Sequence, residues 1–338
     1  MSSTPTQEEL FSSLPVPVAL RRMILPAAIS QIIVLIYNMA DTFYIGRTDN
    51  PYMLAGASLI LPVFNMLLCL ASLAGIGGGT LISRLLGAGQ PQEARKVSAF
   101  SFYLAILLSL AFSVGLPQAG NMAAVFGVGI PSAVASLLFD LDYVVIDKLM
   151  VAYSEVALAA IGIVLKVERL PLNVGIGICQ GMVPLVAYNC AAGNEKRMNR
   201  VIRLSLGTGL AVAAASILLY EAFTPWIVRV FISDSATVRL ADTFLRIRIL
   251  ATPLMFLSFF TVYIFQGFGN GRISLFLGVM RWAVFNIPML FLLNHLVGMY
   301  GIVWSQITAD VLTVALSAWV YYTRRPRFDE AGHILPRR

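Results

Sequence analysis

The sequence predicts an all-α polytopic membrane protein with about nine transmembrane helices. Of its 338 residues, 58% are hydrophobic and only 12% are charged, whereas soluble domains carry about 25% charged residues. Apolar stretches of about 20 residues, the length that crosses a bilayer, recur along the whole chain. These stretches are predicted to be helical because a helix satisfies its own backbone hydrogen bonds within lipid.

Two of the predicted spans are too long for one straight crossing. Four glycines in "AGIGGGTLIS" lie near the inner end of the second span, and Pro171, Gly175, Gly177 and Gly181 are predicted to interrupt the fifth. Lipid-spanning helices tolerate such residues where neighbouring helices satisfy the freed backbone groups. The spans are predicted at residues 23–46, 54–83, 98–117, 124–150, 156–188, 201–220, 244–267, 273–294 and 299–322.

Composition argues against several classes of function. The net charge of +7 comes from basic residues near span ends, as membrane orientation requires, and we expect no nucleic-acid partner. Three isolated cysteines and two histidines give neither a disulfide framework nor a histidine metal site. No phosphate-binding G-x-x-x-x-G-K-[ST] motif and no Ser/His/Asp set is present. We therefore expect no ATP-driven pump, no enzyme, no metal and no organic cofactor.

An internal repeat appears when the sequence is shifted by 104 residues. Leu54-Ala55 then falls on Leu158-Ala159, Gly77 on Gly181 and Ala88-Gly89 on Ala192-Gly193. The polar loop "GAGQPQEARKV" aligns with "AAGNEKRMNRV" without a gap. Spans one to three thus resemble spans four to six, and repeats of this kind are common in secondary transporters.

The charged loops conflict with a simple count of nine crossings. The short basic loops after spans two and five should both be cytoplasmic, and the repeat makes them equivalent. Three predicted crossings separate them, and an odd number places them on opposite sides. The conflict disappears if an odd number of additional membrane crossings is inserted at residues 116–121, or if the segment 124–150 does not cross the membrane.

Several longer motifs resemble the multidrug and toxic compound extrusion (MATE) family, bacterial type. They are "NMADTFYIGR" (38–47), "LAGASLILPVF" (54–64), "GGGTLISRLLGAGQPQEA" (77–94), "GIPSAV" (129–134) and "IGIVLKVERLPLNVGIGICQGMVPLVAYNCAAGN" (161–194). The family has twelve helices in two lobes. This sequence resembles helices one to three and seven to twelve, so the fourth to sixth are absent at the 116–121 junction.

The resemblance implies an incomplete two-lobe arrangement. The expected parts are a cytoplasmic N-terminal tail (1–22), a partial N-lobe (23–117), a C-lobe (118–322) and a cytoplasmic C-terminal tail (323–338). It also implies a multi-pass protein of the bacterial cytoplasmic membrane that exports organic cations or drugs in exchange for H⁺ or Na⁺. The alternative is a non-transporting truncated remnant. An oligomer that replaces the absent helices is possible in principle but has no support in the sequence.

Asp41 is the first candidate for cation coupling. It lies about 18 residues from the inner end of span one, roughly 27 Å into the membrane, and an intramembrane carboxylate is a functional hypothesis by default. Tyr37 and Asn38 precede it by four and three residues, on the same helical face. The alternative from the residues alone is an interfacial carboxylate at the helix end. The family resemblance favours coupling, since the corresponding Asp of similar exporters takes part in it.

Five more acids lie inside predicted spans. Asp140 and Asp142 are coupling candidates, with a membrane-end acidic cluster with Asp147 as the alternative. Glu168 is a possible second proton site, although a self-neutralising network with Lys166 and Arg169 is also consistent with the sequence. Arg281 and Asp310, in the middle of consecutive antiparallel spans, are predicted to form a structural ion pair, because pairing cancels two buried charges.

Overall fold

The computed structural model describes residues 11–46, 71–114, 138, 141–232, 234–326 and 328. These residues form helices joined by short turns. In chain order the helices are α1 (Val16–Gly46), α2 (Gly78–Gly87, entered through a π-helical segment Leu73–Gly77), α3 (Pro91–Val114), α4 (141–151), α5 (Glu155–Ala191), α6 (Glu195–Phe231), α7 (Ser235–Ile249), α8 (Thr252–Gly267), α9 (Gly271–Val279), a second π-helical segment (Met280–Asn286), α10 (Ile287–Val297) and α11 (Met299–Arg324).

Within these described residues, five helical stretches are long and apolar enough to cross a membrane, and α7 with α8 makes a sixth. The chain bends by 46° between α7 and α8. The sequence predicted one span at 244–267, without this bend. Pro253 near the start of α8 is the residue that signals it, because proline favours the first turn of a helix.

Helix α5 corrects the prediction of an interrupted fifth span. It is continuous over 37 residues with Pro171 and Pro184 inside it. Its glycines serve close packing: a Cβ built on Gly177 would lie 2.5 Å from Ala28 Cα of α1, and one on Gly181 would lie 2.6 Å from Ile24 Cα. Small residues four apart allow two membrane helices to approach backbone to backbone. These glycines therefore join α1 to α5 rather than break α5.

Three turns at one end of the bundle have the same geometry. Gly89, Gly193 and Gly269 have φ values of 72°, 70° and 72°. After each, the next N–H bonds a carbonyl five residues back: Gln90 to Leu85, Asn194 to Asn189, Asn270 to Phe265. This is the Schellman helix end, in which glycine takes the left-handed position. The first two turns are the pair that the 104-residue repeat aligns.

These turns lie at one end of the bundle. Gly87 of α2 contacts the Tyr188 backbone of α5, and a Cβ on Gly269 would collide with the Arg84 guanidinium. Phe11 stacks on Tyr188 with ring centroids 5.3 Å apart, so the N-terminal segment joins them. Basic residues cluster here in all three segments, the distribution that predicts a cytoplasmic end, and we call it the cytoplasmic end. They are Arg21, Arg22, Arg84, Arg95, Lys96, Lys196, Arg197, Arg200 and Arg203.

The opposite end carries the start of α5 and the end of α10. Tyr153 donates a 2.6 Å hydrogen bond to Asn294 Oδ1 across this end. Helix α3 begins at the cytoplasmic end and packs antiparallel to α2. Its C-terminal residue, Val114, is therefore toward the opposite end of the bundle. A single crossing over 124–150 would place Tyr153 at the cytoplasmic end instead. The positions of Val114 and Tyr153 at the same end are thus inconsistent with exactly one crossing between them, as the distribution of basic loops also indicated.

Two apolar clusters hold the bundle together. The cytoplasmic cluster centres on Met182, Leu185, Val186, Phe265 and Leu277 and includes Phe11 and Val16 before and in α1. The second, nearer the opposite end, centres on Ile146, Val164, Phe244, Leu245 and Val303. The polar side chains described next lie inside the bundle.

A candidate cation-coupling site inside the bundle

Five ionisable side chains are buried together inside the helical bundle. Asp142 comes from α4, Glu168 from α5, Arg248 from α7, Arg281 from the π-helical segment Met280–Asn286, and Asp310 from α11. None of them exposes more than 4% of its surface. Glu168 and Arg248 each lie 13 residues inside the non-cytoplasmic ends of their helices, roughly 20 Å deep. Transporter ion sites are commonly found at such depths. We call these five residues the charge cluster.

Glu168 and Arg248 form the best-ordered pair of the cluster. Arg248 Nε donates to Glu168 Oε2 at 2.7 Å and its Nη2 donates to Oε1 at 2.8 Å. Tyr143 of α4 donates its hydroxyl to Oε1 at 3.2 Å. A two-pronged bond of this kind fixes both partners, since the planar guanidinium matches the carboxylate. Glu168 is thus held by three hydrogen bonds from two neighbouring helices.

Glu168 does not make the pair with Lys166 that the predicted self-neutralising network required. Lys166 is exposed, and the Arg169 guanidinium lies 4.6 Å from the centre of the Tyr143 ring. The glutamate instead pairs with Arg248, 80 residues further along the chain. Lys166 and Glu168 stand two apart on a helix and so face different directions, which explains why they do not pair.

Arg281 and Asp310 lie together as the sequence predicted. Arg281 Nη2 is 3.0 Å from Asp310 Oδ1. Asp310 also accepts a 2.6 Å bond from Gln306 Nε2, and Ser258 Oγ lies 3.4 Å from its Oδ1. The Arg281 and Asp310 charges are close enough to form an ion pair, but the N–H bonds of the guanidinium are not well aligned with a hydrogen-bond acceptor among the described residues.

Asp142 is the unpaired acid of the charge cluster. It is 0% exposed, and in the described part of the chain neither of its carboxylate oxygens has a hydrogen-bond partner. Arg248, Arg281, Glu168 and Asp310 are all near enough to act on it electrostatically. With Glu168 paired to Arg248 and Asp310 to Arg281, a charged Asp142 leaves the cluster with one excess negative charge. A proton or a monovalent cation would neutralise it.

The other candidates are either exposed or lie outside the described part of the structure. Tyr37 is 57% exposed on α1. Asn38 and Asp41 belong to the same helix, but their side chains lie outside the part of the structure that is described, as does Asp140 altogether. Asp147 is exposed on α4, so the acidic cluster that would join it to Asp142 is not seen.

Sequence reasoning missed three members of this site. Arg248 and Tyr143 complete the contacts of Glu168, and Ser258 lies against Asp310. Arg248 had a signal in the sequence, because "FLRIRIL" places a charge two residues from Arg246 within a predicted span. Residues two apart on a helix point in different directions, so Arg246 and Arg248 had to lie on different faces of the helix, one of them toward the interior of the bundle.

A separate cavity lies where α2 meets α5 and α8. Its volume is about 380 Å³, and Ser72, Gly75 and Thr80 line one wall while Gln180 and Tyr263 line the other. Gln31 of α1 donates a 3.0 Å bond to Gln180 Oε1, and Gln180 Nε2 donates to the Tyr263 hydroxyl at 3.5 Å. None of the described residues that line the cavity is charged, and its volume falls in the range of small-molecule sites.

A bundle of membrane helices with an internal repeat and a cavity where helices of its two halves meet is typical of membrane transporters. The sequence model of the MatE family matches residues 26–128 and 131–292. The chain belongs to this family, and it is a multi-pass protein of the cell membrane.

Characterised relatives are similar along almost the whole chain. "Multidrug export protein MepA" of Staphylococcus aureus is 24% identical over 437 positions, which cover 94% of this chain and 96% of that protein. The protein of the same name from Staphylococcus haemolyticus is 23% identical over 435 positions, with the same coverage. Both alignments are longer than the 338 residues of this chain, so the relatives contain internal residues that this chain does not have.

Solved structures agree on the fold. A MATE protein crystallised with MaL6 superposes with a TM-score of 0.83 at 16% identity, covering 94% of this chain and 98% of that one. The Vibrio cholerae MATE transporter VcmN in its bent form gives a TM-score of 0.74 at 14% identity, covering 91% and 97%. These likenesses show the MATE fold in an incomplete form.

Proposed function

We propose that this protein is a cation-coupled exporter of small organic cations or drugs, and that H⁺ or Na⁺ couples at Asp142. The observation that carries the proposal is the fully buried Asp142 carboxylate, which has no hydrogen-bond partner among the described residues. The names of the relatives, multidrug export proteins, support the substrate class. Asp41 remains a second coupling candidate, with Asn38 and Tyr37 beside it.

The coupling follows from charge balance in a medium of low polarity. An ionised Asp142 leaves the charge cluster one negative charge in excess, and uncompensated charge inside a membrane protein is costly. Binding of H⁺ or Na⁺ removes that excess and stabilises a different packing of α4 against α5, α7 and α11. Release of the ion restores the charge. The ion thus shifts the balance between two conformations, as a coupling ion must.

The neutral cavity between α2 and α5 is the proposed substrate chamber. Its glycine-rich wall and its Gln180 and Tyr263 side chains would hold a flat organic molecule by contact area and a few hydrogen bonds. Gln31, Gln180 and Tyr263 connect α1 to α5 and α8 across this chamber. Alternating access would separate these contacts and open the chamber to the cytoplasm.

The test is efflux of a fluorescent organic cation from cells that produce the wild type, Asp142→Asn or Asp41→Asn. Asp147→Asn is the matched control, since Asp147 is an exposed acid on the same helix. We expect efflux by the wild type and the control, and its loss in Asp142→Asn. Undiminished efflux by Asp142→Asn would refute the site. A wild-type protein that reaches the membrane but exports nothing would instead support a non-transporting remnant.

A further inference from the structure

Arg281 is a buried cation that lies against two aromatic rings as well as against Asp310. Its guanidinium carbon lies 4.2 Å from the centre of the Phe259 ring and 4.4 Å from that of the Trp282 ring. Such contacts stabilise the charge without using the N–H groups. A guanidinium has five N–H donors. Within the described residues none of its nitrogens makes a well-aligned hydrogen bond, although only 2% of Arg281 is exposed.

The present partner of Arg281 has a hydrogen-bond donor of its own. Asp310 Oδ2 accepts a 2.6 Å bond from Gln306 Nε2, and that donor remains if Arg281 moves away. Ser258 Oγ lies 3.4 Å from Asp310 Oδ1, but its single proton is directed to the Leu254 carbonyl at 2.9 Å. Asp142 has no donor on either oxygen in the described structure. A guanidinium therefore stabilises an ionised Asp142, which has no other donor, more than it stabilises Asp310, which has Gln306.

The second arginine of the charge cluster is not available for such a move. Arg248 holds Glu168 through two hydrogen bonds at 2.7 and 2.8 Å. Arg281 stands instead on seven residues of π-helix, and π-helical turns are rare and frequently mark functional sites. The charged and titratable groups that face Arg281 are Asp310 from α11, Asp142 and Tyr143 from α4, and Arg248 and Glu168 act on the same Asp142.

We propose that Arg281 exchanges between two acids: it pairs with Asp310 when Asp142 is neutral or occupied by a cation, and with Asp142 when that carboxylate is empty. The exchange carries the charge state of α4 to α11 through the π-helical segment. Arg281 is then a positioning residue, acting through Asp142. The inference rests on the proposed coupling at Asp142, and the arrangement described here, with Arg281 at Asp310, is the one expected for a neutral Asp142.

Trp282 provides a direct readout, because its indole ring lies against the Arg281 guanidinium. A protein with Trp226, Trp304 and Trp319 replaced by Phe retains Trp282 as its sole tryptophan. Its fluorescence is recorded in detergent from about pH 5 to about pH 9, without Na⁺. We expect the Trp282 emission to titrate in this protein and to stay constant in the same protein carrying Asp142→Asn, which mimics the neutral acid.

Either of two results would overturn the exchange: a Trp282 emission that does not change with pH, or one that titrates equally with Asp142→Asn present. The first needs no variant at the site, so poor folding of a variant cannot hide it. This readout does not involve transport, so a negative result refutes the exchange and leaves the proposed function standing. The proposed function is refuted by a different result, a wild type that exports nothing under an ion gradient.

A second arm separates exchange from a merely structural ion pair. Arg281→Met with Asp310→Asn removes the pair as a neutral unit, and Glu221→Gln with Arg246→Met removes an exposed pair as the control. Coupling between sites commonly amounts to 5–150-fold, so we expect the first double variant to lose about tenfold in gradient-driven transport and to lose its pH dependence. A wild-type pH profile in that variant would show that the pair is structural only.

Discussion

Gly87 of α2 contacts the backbone of Tyr188 in α5, so closely that any side chain at Gly87 would collide with the Tyr188 carbonyl. Each residue stands a few positions before a Schellman turn, at Gly89 and Gly193. The contact therefore places two equivalent basic loops of the repeat side by side. A transporter of this family must hold such loops on one side of the membrane, since the positively charged loops are cytoplasmic.

The first prediction concerns this topology. In a protein whose native cysteines are replaced, single cysteines at Gln90 and Glu195 should react with a membrane-impermeant maleimide from the same side, the cytoplasmic one. Val297→Cys, at the end of α10, should react from the other side. Reaction of positions 90 and 195 from opposite sides in intact cells and inverted vesicles would contradict the arrangement of α2 and α5.

The second prediction concerns the glycine contact between α1 and α5. Gly181→Ala places a Cβ 2.6 Å from Ile24 Cα, so the helices must separate, and overpacking of this kind costs about 1–3 kcal/mol. We expect a lower Tm in detergent. Gly162→Ala is the matched control on the same helix, since nothing lies within 4 Å of its added Cβ, and alanine favours the helix by about 1 kcal/mol. Equal Tm changes in the two variants would show that the contact contributes nothing.

The third prediction concerns the buried pair Glu168 and Arg248. Arg248→Met leaves the three acids of the charge cluster with Arg281 as their one remaining arginine, and removal of one partner of a buried pair costs about 3–5 kcal/mol. Arg248→Met should therefore lower the free energy of unfolding strongly. The double variant Glu168→Gln with Arg248→Met should lower the free energy of unfolding by less than the sum of the two single variants, because the effects of substitutions at contacting residues are not additive.

The exposed pair Glu221 and Arg246, whose side chains are 36% and 38% exposed, is the comparison for that experiment. Exposed pairs contribute about 0–1 kcal/mol, so Glu221→Gln should change the Tm little. An Arg248→Met protein as stable as Glu221→Gln would mean that the buried pair is dispensable.

Much of the fold follows from local signals in the sequence. The 104-residue shift identified Gly89 and Gly193 as equivalent, and both adopt the left-handed conformation that ends a helix. The pairing of Arg281 with Asp310 was predictable because both are charges in the middle of consecutive antiparallel spans. The third turn, at Gly269, has the same geometry but lies outside the register of the repeat, so the shift could not find it.

Other features depend on contacts that no local pattern contains. Glycines in α5 weaken an isolated helix by about 1 kcal/mol each, which is why a break was predicted. The packing of Ala28 and Ile24 against Gly177 and Gly181 reverses that conclusion. The partner of Glu168 lies 80 residues away in a separate helix, and only the folded bundle brings Arg248 to it.

The central claim is that an ion gradient drives export through Asp142. The most direct measurement is uptake of a fluorescent organic cation into proteoliposomes under an imposed pH or Na⁺ gradient, with the wild type, Asp142→Asn and Asp147→Asn compared at equal protein density. The account predicts gradient-dependent uptake by the wild type and Asp147→Asn and none by Asp142→Asn. It is contradicted if wild-type uptake ignores both gradients, or if Asp142→Asn responds to a gradient as the wild type does.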